Sequence, residues 1–299
     1  MKVKSNQFIP AAQIAIQDGD LQSAVSFGTQ SGFTKRQAAM FADGEAHGQE
    51  MRQQAATIKR HALNPLPDLL EQAEANMQAN GIQVMWAVDS AEANRHVLEI
   101  ARRHDVHAVV KSKSMVTEEI GLNQTLEAAD IQVLETDLGE YIVQLSGETP
   151  SHIVIPVVHK TKESIRDLFI QKAGMPPTDD TEDMANFARQ KLRQHFLSAD
   201  MGISGGNFII AETGTLCLVT NEGNGRMVTT VPKVHIALMG IERLVPTYDD
   251  LALMLTLLPR AATGQKISVY TQIVRGPRRE GEVDGALERH LVLVDNGRT

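Results

Sequence analysis

The stretch that decides the fold is residues 82–110, IQVMWAVDSAEANRHVLEIARRHDVHAVV. Residues 82–88 carry the β-branched and aromatic content of a strand, and Asp89 or Ser90 then offers a side-chain cap for a helix over 90–104. Residues 107–110 are a short apolar run of the kind that forms a buried strand. The order is therefore strand, helix, strand.

The same alternation continues outward. A helix is expected over 117–129, a strand over 131–134 and a short amphipathic helix over 138–145. A strand over 152–156 and a helix over 161–172, capped by Thr161, follow. Alternating β and α units of this length predict an α/β fold with a doubly wound, mostly parallel sheet. A polar, proline-bearing link occupies 174–180, and a helix is expected over 181–197. The glycine-rich segment 203–226, ISGGNFIIAETGTLCLVTNEGNGR, reads as a hairpin with strands at 208–211 and 216–219. Beyond it come a strand at 234–239, a helix at 247–263 capped by Thr247, strands at 267–273 and 290–294, and a charged, turn-rich loop over 276–288. The carboxyl-terminal part is thus rich in β-hairpin. Upstream, apolar residues recur at helical spacing through Ile14, Leu21, Val25, Phe33, Met40 and Phe41, and the helical pattern breaks at Asn64-Pro65-Leu66-Pro67. The expected organisation is an N-terminal helical arm over 1–80 and an α/β domain over 81–299, with a sub-boundary near 174–180.

Composition narrows the function classes. The 299 residues are 42% hydrophobic and 22% charged, enough to bury a large core. A net charge of −8 disfavours nucleic acid or an anionic membrane as the main partner, since both reward a basic surface. No apolar run is long enough to span a bilayer and the first ten residues lack an apolar signal core, so a cytoplasmic location is expected. The single Cys217, mid-strand in LCLV, cannot build a disulfide or a Cys-rich metal site and reads as a small buried hydrophobe. His104 and His107 straddle a helix end and a strand start and need not converge, so no metal site is expected.

Three stretches can carry chemistry. In the hairpin segment Glu212, with Thr213 and Thr215, stands between the strands, and Asn221, Asn224 and Arg226 follow the second strand; Glu212 is the candidate base or nucleophile. The run Lys111-Ser112-Lys113-Ser114 joins a buried strand to a helix start, where cations, hydroxyls and free amides suit a carboxylate or phosphate. His159 sits at a strand's end before a helix and is a candidate proton carrier. Each has a plainer alternative: a solvated turn, a dipole-complementing loop and a surface histidine. The mechanism needs the strand tips to meet in one cleft.

Taken together, VVKSKSMVTEEIGLN (109–123), ETDLGEYIVQLSGETPSHIVIPVVHK (135–160) and the long segment 199–247 resemble the LutB-type lactate utilization proteins and their LUD domain. The resemblance runs over 81–299 and more weakly through the helical arm. It implies a fold akin to the sugar-phosphate isomerase and CoA-transferase superfamily. It also implies participation, with two sister proteins, in oxidising L-lactate to pyruvate. LutB-type proteins usually continue past LVLVDNGRT into a ferredoxin-like module holding two [4Fe–4S] clusters; none of its cysteines is present here, so no cofactor is expected on this chain, which is either shortened or naturally split. CoA-transferase-like relatives use a glutamate at the sheet edge, which Glu212 in AETGT loosely resembles. Three functions follow: a subunit of a lactate-oxidising complex that binds a small carboxylate or its partner subunits, a stand-alone isomerase or CoA-transferase-like enzyme using Glu212, and a structural docking domain. The isolated domain is not expected to turn over alone.

Overall fold

The computed structural model describes residues 7–148, 150 and 156–298. Its centre is a six-stranded sheet built from β1 (Ile82–Ala87), β2 (Ala108–Lys111), β3 (Gln132–Glu135), β4 (Met201–Ser204), β7 (Val234–Gly240) and β10 (Glu288–Val294). All are parallel, in the order β1-β10-β7-β4-β2-β3. A second sheet holds β5 (Phe208–Ile210), β6 (Thr215–Thr220), β8 (Leu244–Val245) and β9 (Tyr270–Val274) in the order β8-β5-β6-β9. β5 and β6 form the antiparallel hairpin, with Phe208 opposite Cys217.

Period-two alternation explains how one strand serves two cores. On β7, Val234, Ile236 and Leu238 face a layer formed by α5 (Ser90–Arg103), α6 (Met115–Glu119) and α7 (Leu122–Glu127), which contributes Val97, Ile100, Ile120, Leu122 and Leu126. Its Ala237 and Met239 face the other way, against Ile209 and Leu216 of the second sheet and Met77 of α4 (Leu66–Ala79). That second face is completed by α10 (Thr181–Ser198) and α11 (Asn224–Thr230), whose Leu192, Phe196 and Val228 pack with Val110. Both faces of the parallel sheet are covered, as its near-continuous apolar strands require.

The remaining helices are α1 (Phe8–Gln17), α2 (Gly19–Met40), α3 (Glu45–Leu63), α8 (Leu138–Ser146), α9 (Lys162–Leu168) and α12 (Tyr248–Thr263). α12 opens with a reciprocal capping box between Thr247 and Asp250. The arm helices α2 and α3 pack on α12, where the buried Arg260 donates to the Ala39 carbonyl at 2.6 Å and pairs with Asp43 at 3.2 Å.

The α/β fold, the arm and the hairpin-rich carboxyl part agree with the sequence reading; several boundaries do not. The helix expected over 117–129 is two, because Gly121 at φ +66° turns the chain between α6 and α7. The helix from Thr161 closes in a π-helical turn over Phe169–Ala173. β4 went unread as a strand of the main sheet: MGIS is only four residues long and leads directly into Gly205-Gly206. Residues 221–226, read as a loop, contain the start of α11. The strand expected over 152–156 lies outside the described residues except for Pro156, which sits in a turn.

Candidate functional site

A cavity of about 640 Å³ opens at the carboxyl ends of β2, β3 and β4, where the open end of the β5–β6 hairpin meets them. This is where ligands bind in open α/β sheets. The loop after β2 supplies Ser112, Lys113 and Ser114, the loop after β3 supplies Asp137, and the hairpin supplies Asn207, Asn221 and Glu222; Asn224 and Arg243 complete the polar wall. Leu138, Ile142 and Leu258 add apolar lining.

Local sequence explains the shape. Ser112 N–H donates to the Ile203 carbonyl at 3.0 Å, carrying the β2–β4 ladder one residue past β2. Ser114 then caps α6, its Oγ accepting from Thr117 N at 3.4 Å. Gly205 and Gly206 beyond β4 let side chains close in: a Cβ on Gly205 would lie 2.8 Å from Ser114 Oγ, and one on Gly206 2.5 Å from Met239 Sδ. Asn207 fixes the hairpin's open end by accepting from Val219 N at 2.8 Å.

Charged groups lie beneath and around the cavity. Lys111 is fully buried, with Nζ 2.8 Å from Glu135 Oε1, 2.9 Å from Thr117 Oγ1 and 3.4 Å from Glu118 Oε1. Burial pulls its pKa down, but the surrounding carboxylates of Glu135, Glu118 and Glu140 outweigh that, so it stays charged. Lys113 Nζ stands 3.7 Å from Glu140 Oε1. Burial, aided by Glu135, pushes the Glu140 carboxyl up to about 8 despite Lys113 and Lys111. Burial and the neighbouring Asp137 push Glu222 up to about 7, against the Leu138 N–H that its Oε2 accepts at 3.3 Å and against Lys113. The site thus pairs an ammonium group with a carboxyl group poised to exchange a proton near neutrality.

Of the residues singled out from sequence, Ser112, Lys113, Ser114, Asn221 and Asn224 line this cavity together. Lys111 is held under it in the buried ion pair with Glu135. The structure does not bring the others there. Glu212, Thr213 and Thr215 are at the closed end of the hairpin, separated from Thr220 by the length of β6, about 17 Å at ~3.4 Å per residue. There Glu212 Oε1 accepts from Tyr248 N at 2.6 Å, Thr215 Oγ1 lies 2.9 Å from Thr213 Oγ1 and 3.0 Å from Tyr248 OH, and Asn76 of α4 and Asn80 at its C-cap hold the turn's carbonyls. The shared site of Glu212 with Arg226 and the Lys111/Lys113 loop is therefore not formed: a hairpin's turn and its open end point in opposite directions. Arg226 is exposed, 4.0 Å from Asp284. His159 Nε2 is 2.8 Å from Glu148 Oε2, outside the cavity wall.

Sequence reasoning missed Asp137, Glu140 and Glu222 as a group, and Arg243. The signal was present in ETDLGE (135–140), which repeats after β3 the strand, polar loop and helix-start layout already noted after β2.

The LUD domain model matches residues 70–294, and the chain belongs to the LUD domain family. It is 45% identical over 299 residues to the "Uncharacterized electron transport protein YkgF" of Escherichia coli (strain K12), covering 100% of this chain and 62% of that protein. It is 44% identical over 300 residues to "Lactate utilization protein B" of Shouchella clausii (strain KSM-K16), covering 100% of this chain and 63% of that one. The protein of the same name from Geobacillus kaustophilus (strain HTA426) is 43% identical over 300 residues, with 100% and 63% covered. The chain thus spans about 62–63% of the length of these relatives. A crystal structure of a DUF162 family protein from Deinococcus radiodurans aligns with a TM-score of 0.39 at 14% identity, over 77% of this chain and 98% of that one, too loose a likeness to add to the assignment.

The iron–sulfur clusters associated with LutB-type proteins do not fit the residues of this chain. A [4Fe–4S] cluster takes four thiolates; Cys217 is the one cysteine, buried on β6 with its thiol pushed up to about 12 by burial. Among the described residues no helix is long and apolar enough to cross a membrane.

Proposed function

We propose that this chain is the LUD part of a lactate utilization component of LutB type, working in the cytoplasm with sister lactate utilization proteins in the oxidation of L-lactate to pyruvate. Its cleft takes the small carboxylate. The names of the relatives support the pathway. The observation that carries the site is the placement of Lys113 at the sheet's carboxyl end, between two serines that line the same cavity as Glu222, Asn221 and Asn224.

In this reading Lys113 attracts the substrate carboxylate, the asparagine amides and serine hydroxyls orient it, and Glu222 accepts or returns a proton. The hydroxyl proton goes to the Glu222 carboxylate, and the C–H hydrogen leaves with both electrons as a hydride to a two-electron, hydride-accepting cofactor carried by another subunit. The enzyme reading built on Glu212 lacks the partners it calls for, because Glu212 lies at the closed end of the hairpin and does not line the cavity that holds Lys113.

Titration calorimetry with L-lactate and pyruvate tests the proposal. Lys113→Ala is expected to weaken binding at least ~10-fold, about 1.4 kcal/mol, with little change in thermal stability. Unchanged binding in that variant, or no binding by the parent chain of lactate, pyruvate or any small carboxylate, would remove the cleft from the account.

A further inference from the structure

The amino ends of the parallel strands, opposite the cleft, hold a second constellation. Glu288 opens β10 and His290 follows two residues later, so both side chains stand on one face of the sheet. That strand is hydrogen-bonded on both sides, to β1 and β7, which fixes its backbone. His104 reaches the same place from the C-cap of α5. Its Nε2 is 3.1 Å from Glu288 Oε2, and His290 Nε2 is 3.2 Å from the same oxygen. One ligand atom from each of the three residues falls within 4.8 Å of the other two.

We propose that His104, Glu288 and His290 form a divalent-metal site of the His₂Glu type, suited to Zn²⁺. A tetrahedral zinc ion with metal–ligand distances of about 2.0–2.1 Å spaces its ligand atoms about 3.3 Å apart. The two carboxylate–imidazole separations, 3.1 and 3.2 Å, are close to that value, and the three ligand atoms lie within 4.8 Å of one another, so the ion enters by displacing the two Nε2–carboxylate hydrogen bonds. Two nitrogen donors and one oxygen donor match zinc's borderline preference. His290 is 1% exposed, so its ring is held in place by the packing around it. His104 and Glu288 are partly exposed, which leaves a path for the ion and for a water as fourth ligand. Arg103 is close enough to oppose a cation and limits the affinity.

The function of such a site is structural. β10 is about 20 Å long at ~3.3 Å per residue, so an ion at Glu288 lies far from the cleft. It would join the end of α5 to β10. Exposed His107, three residues from His104 and 3.5 Å from Asp105, takes no part and serves as a control.

The test uses the full 299-residue chain, freed of metal with a chelator and titrated with Zn²⁺ by calorimetry and with Co²⁺ by visible absorption. One ion per chain is expected, with a tetrahedral cobalt spectrum and a melting temperature that rises with Zn²⁺ concentration. Glu288→Ala and His104→Ala should each weaken binding at least 10-fold, while His107→Ala leaves it unchanged; circular dichroism identifies any variant that fails to fold, and the other then decides. Absence of stoichiometric binding, or binding lost in His107→Ala and kept in the other two, overturns the proposal.

Discussion

The two ends of the β5–β6 hairpin carry nearly the same residue types and have different physical states. At the closed end Glu212, Thr213 and Thr215 are engaged with Tyr248 and with one another, while Asn76 and Asn80 take the backbone carbonyls. At the open end Asn221, Glu222 and Asn224 face a cavity, and burial has moved the Glu222 carboxyl up to about 7. A glutamate beside threonines and a glycine is thus no indication of chemistry. Each glutamate accepts one N–H at a helix start, so what separates the two is place: Glu212 is exposed at its turn, whereas Glu222 is partly buried against the cavity.

The largest expected effect lies at the closed end. Gly214 has φ +62°, and a Cβ there would sit 2.3 Å from Met77 N and 2.4 Å from the Asn76 carbonyl carbon. Gly214→Ala should lower stability by roughly 2–4 kcal/mol, read from chemical denaturation, through a left-handed backbone and a clash with the backbone of α4. Carboxylate affinity of the folded fraction should be unchanged; a selective loss of affinity would mean that the closed end is part of the site.

Glu222 gives the intermediate effect, and its sign is fixed by the direction of its shift. Its carboxyl titrates near 4.5 in the unfolded chain and about 7 in the fold. Between those values the folded state holds the extra proton, so stability falls as pH rises from 4.5 to about 7 and stays lower above it. Glu222→Gln should remove that part of the decline and be more stable than the parent at pH 8 by roughly 1–2 kcal/mol, discounted for partial exposure. A denaturation series against pH that shows parallel curves for the two proteins would contradict the assignment.

The smallest effect belongs to the residue that sequence made most conspicuous. Glu212→Gln exchanges a carboxylate acceptor at the start of α12 for an amide and should cost about 1 kcal/mol or less, with carboxylate binding unaltered by calorimetry.

Much of the fold was legible because the units over 82–145 punctuate themselves: Asp89 and Asp137 cap their helices, and the strands are short apolar runs. β4 escaped notice because four residues give too little periodicity, and its role depends on α11 passing close to Gly202, where a Cβ would meet the Val228 carbonyl oxygen at 2.0 Å. The site was half legible. Ser112, Lys113, Ser114, Asn221 and Asn224 were found because strand tips followed by polar loops are visible in one dimension. Asp137 and Glu140 were not, since their importance rests on burial beside Glu222 and Lys113, a relation made only by the sheet order that brings β3 next to β2. Glu212 was grouped with the cavity residues because a sequence does not show which end of a hairpin meets the carboxyl ends of the parallel strands.

The most direct test of the central claim is a crystal of the chain soaked with L-lactate and examined by difference density. The account predicts the carboxylate beside Lys113, within reach of the Ser112, Ser114 and Asn221 side chains in the 640 Å³ cavity. Density at the Glu212 turn with the cavity unchanged would contradict it.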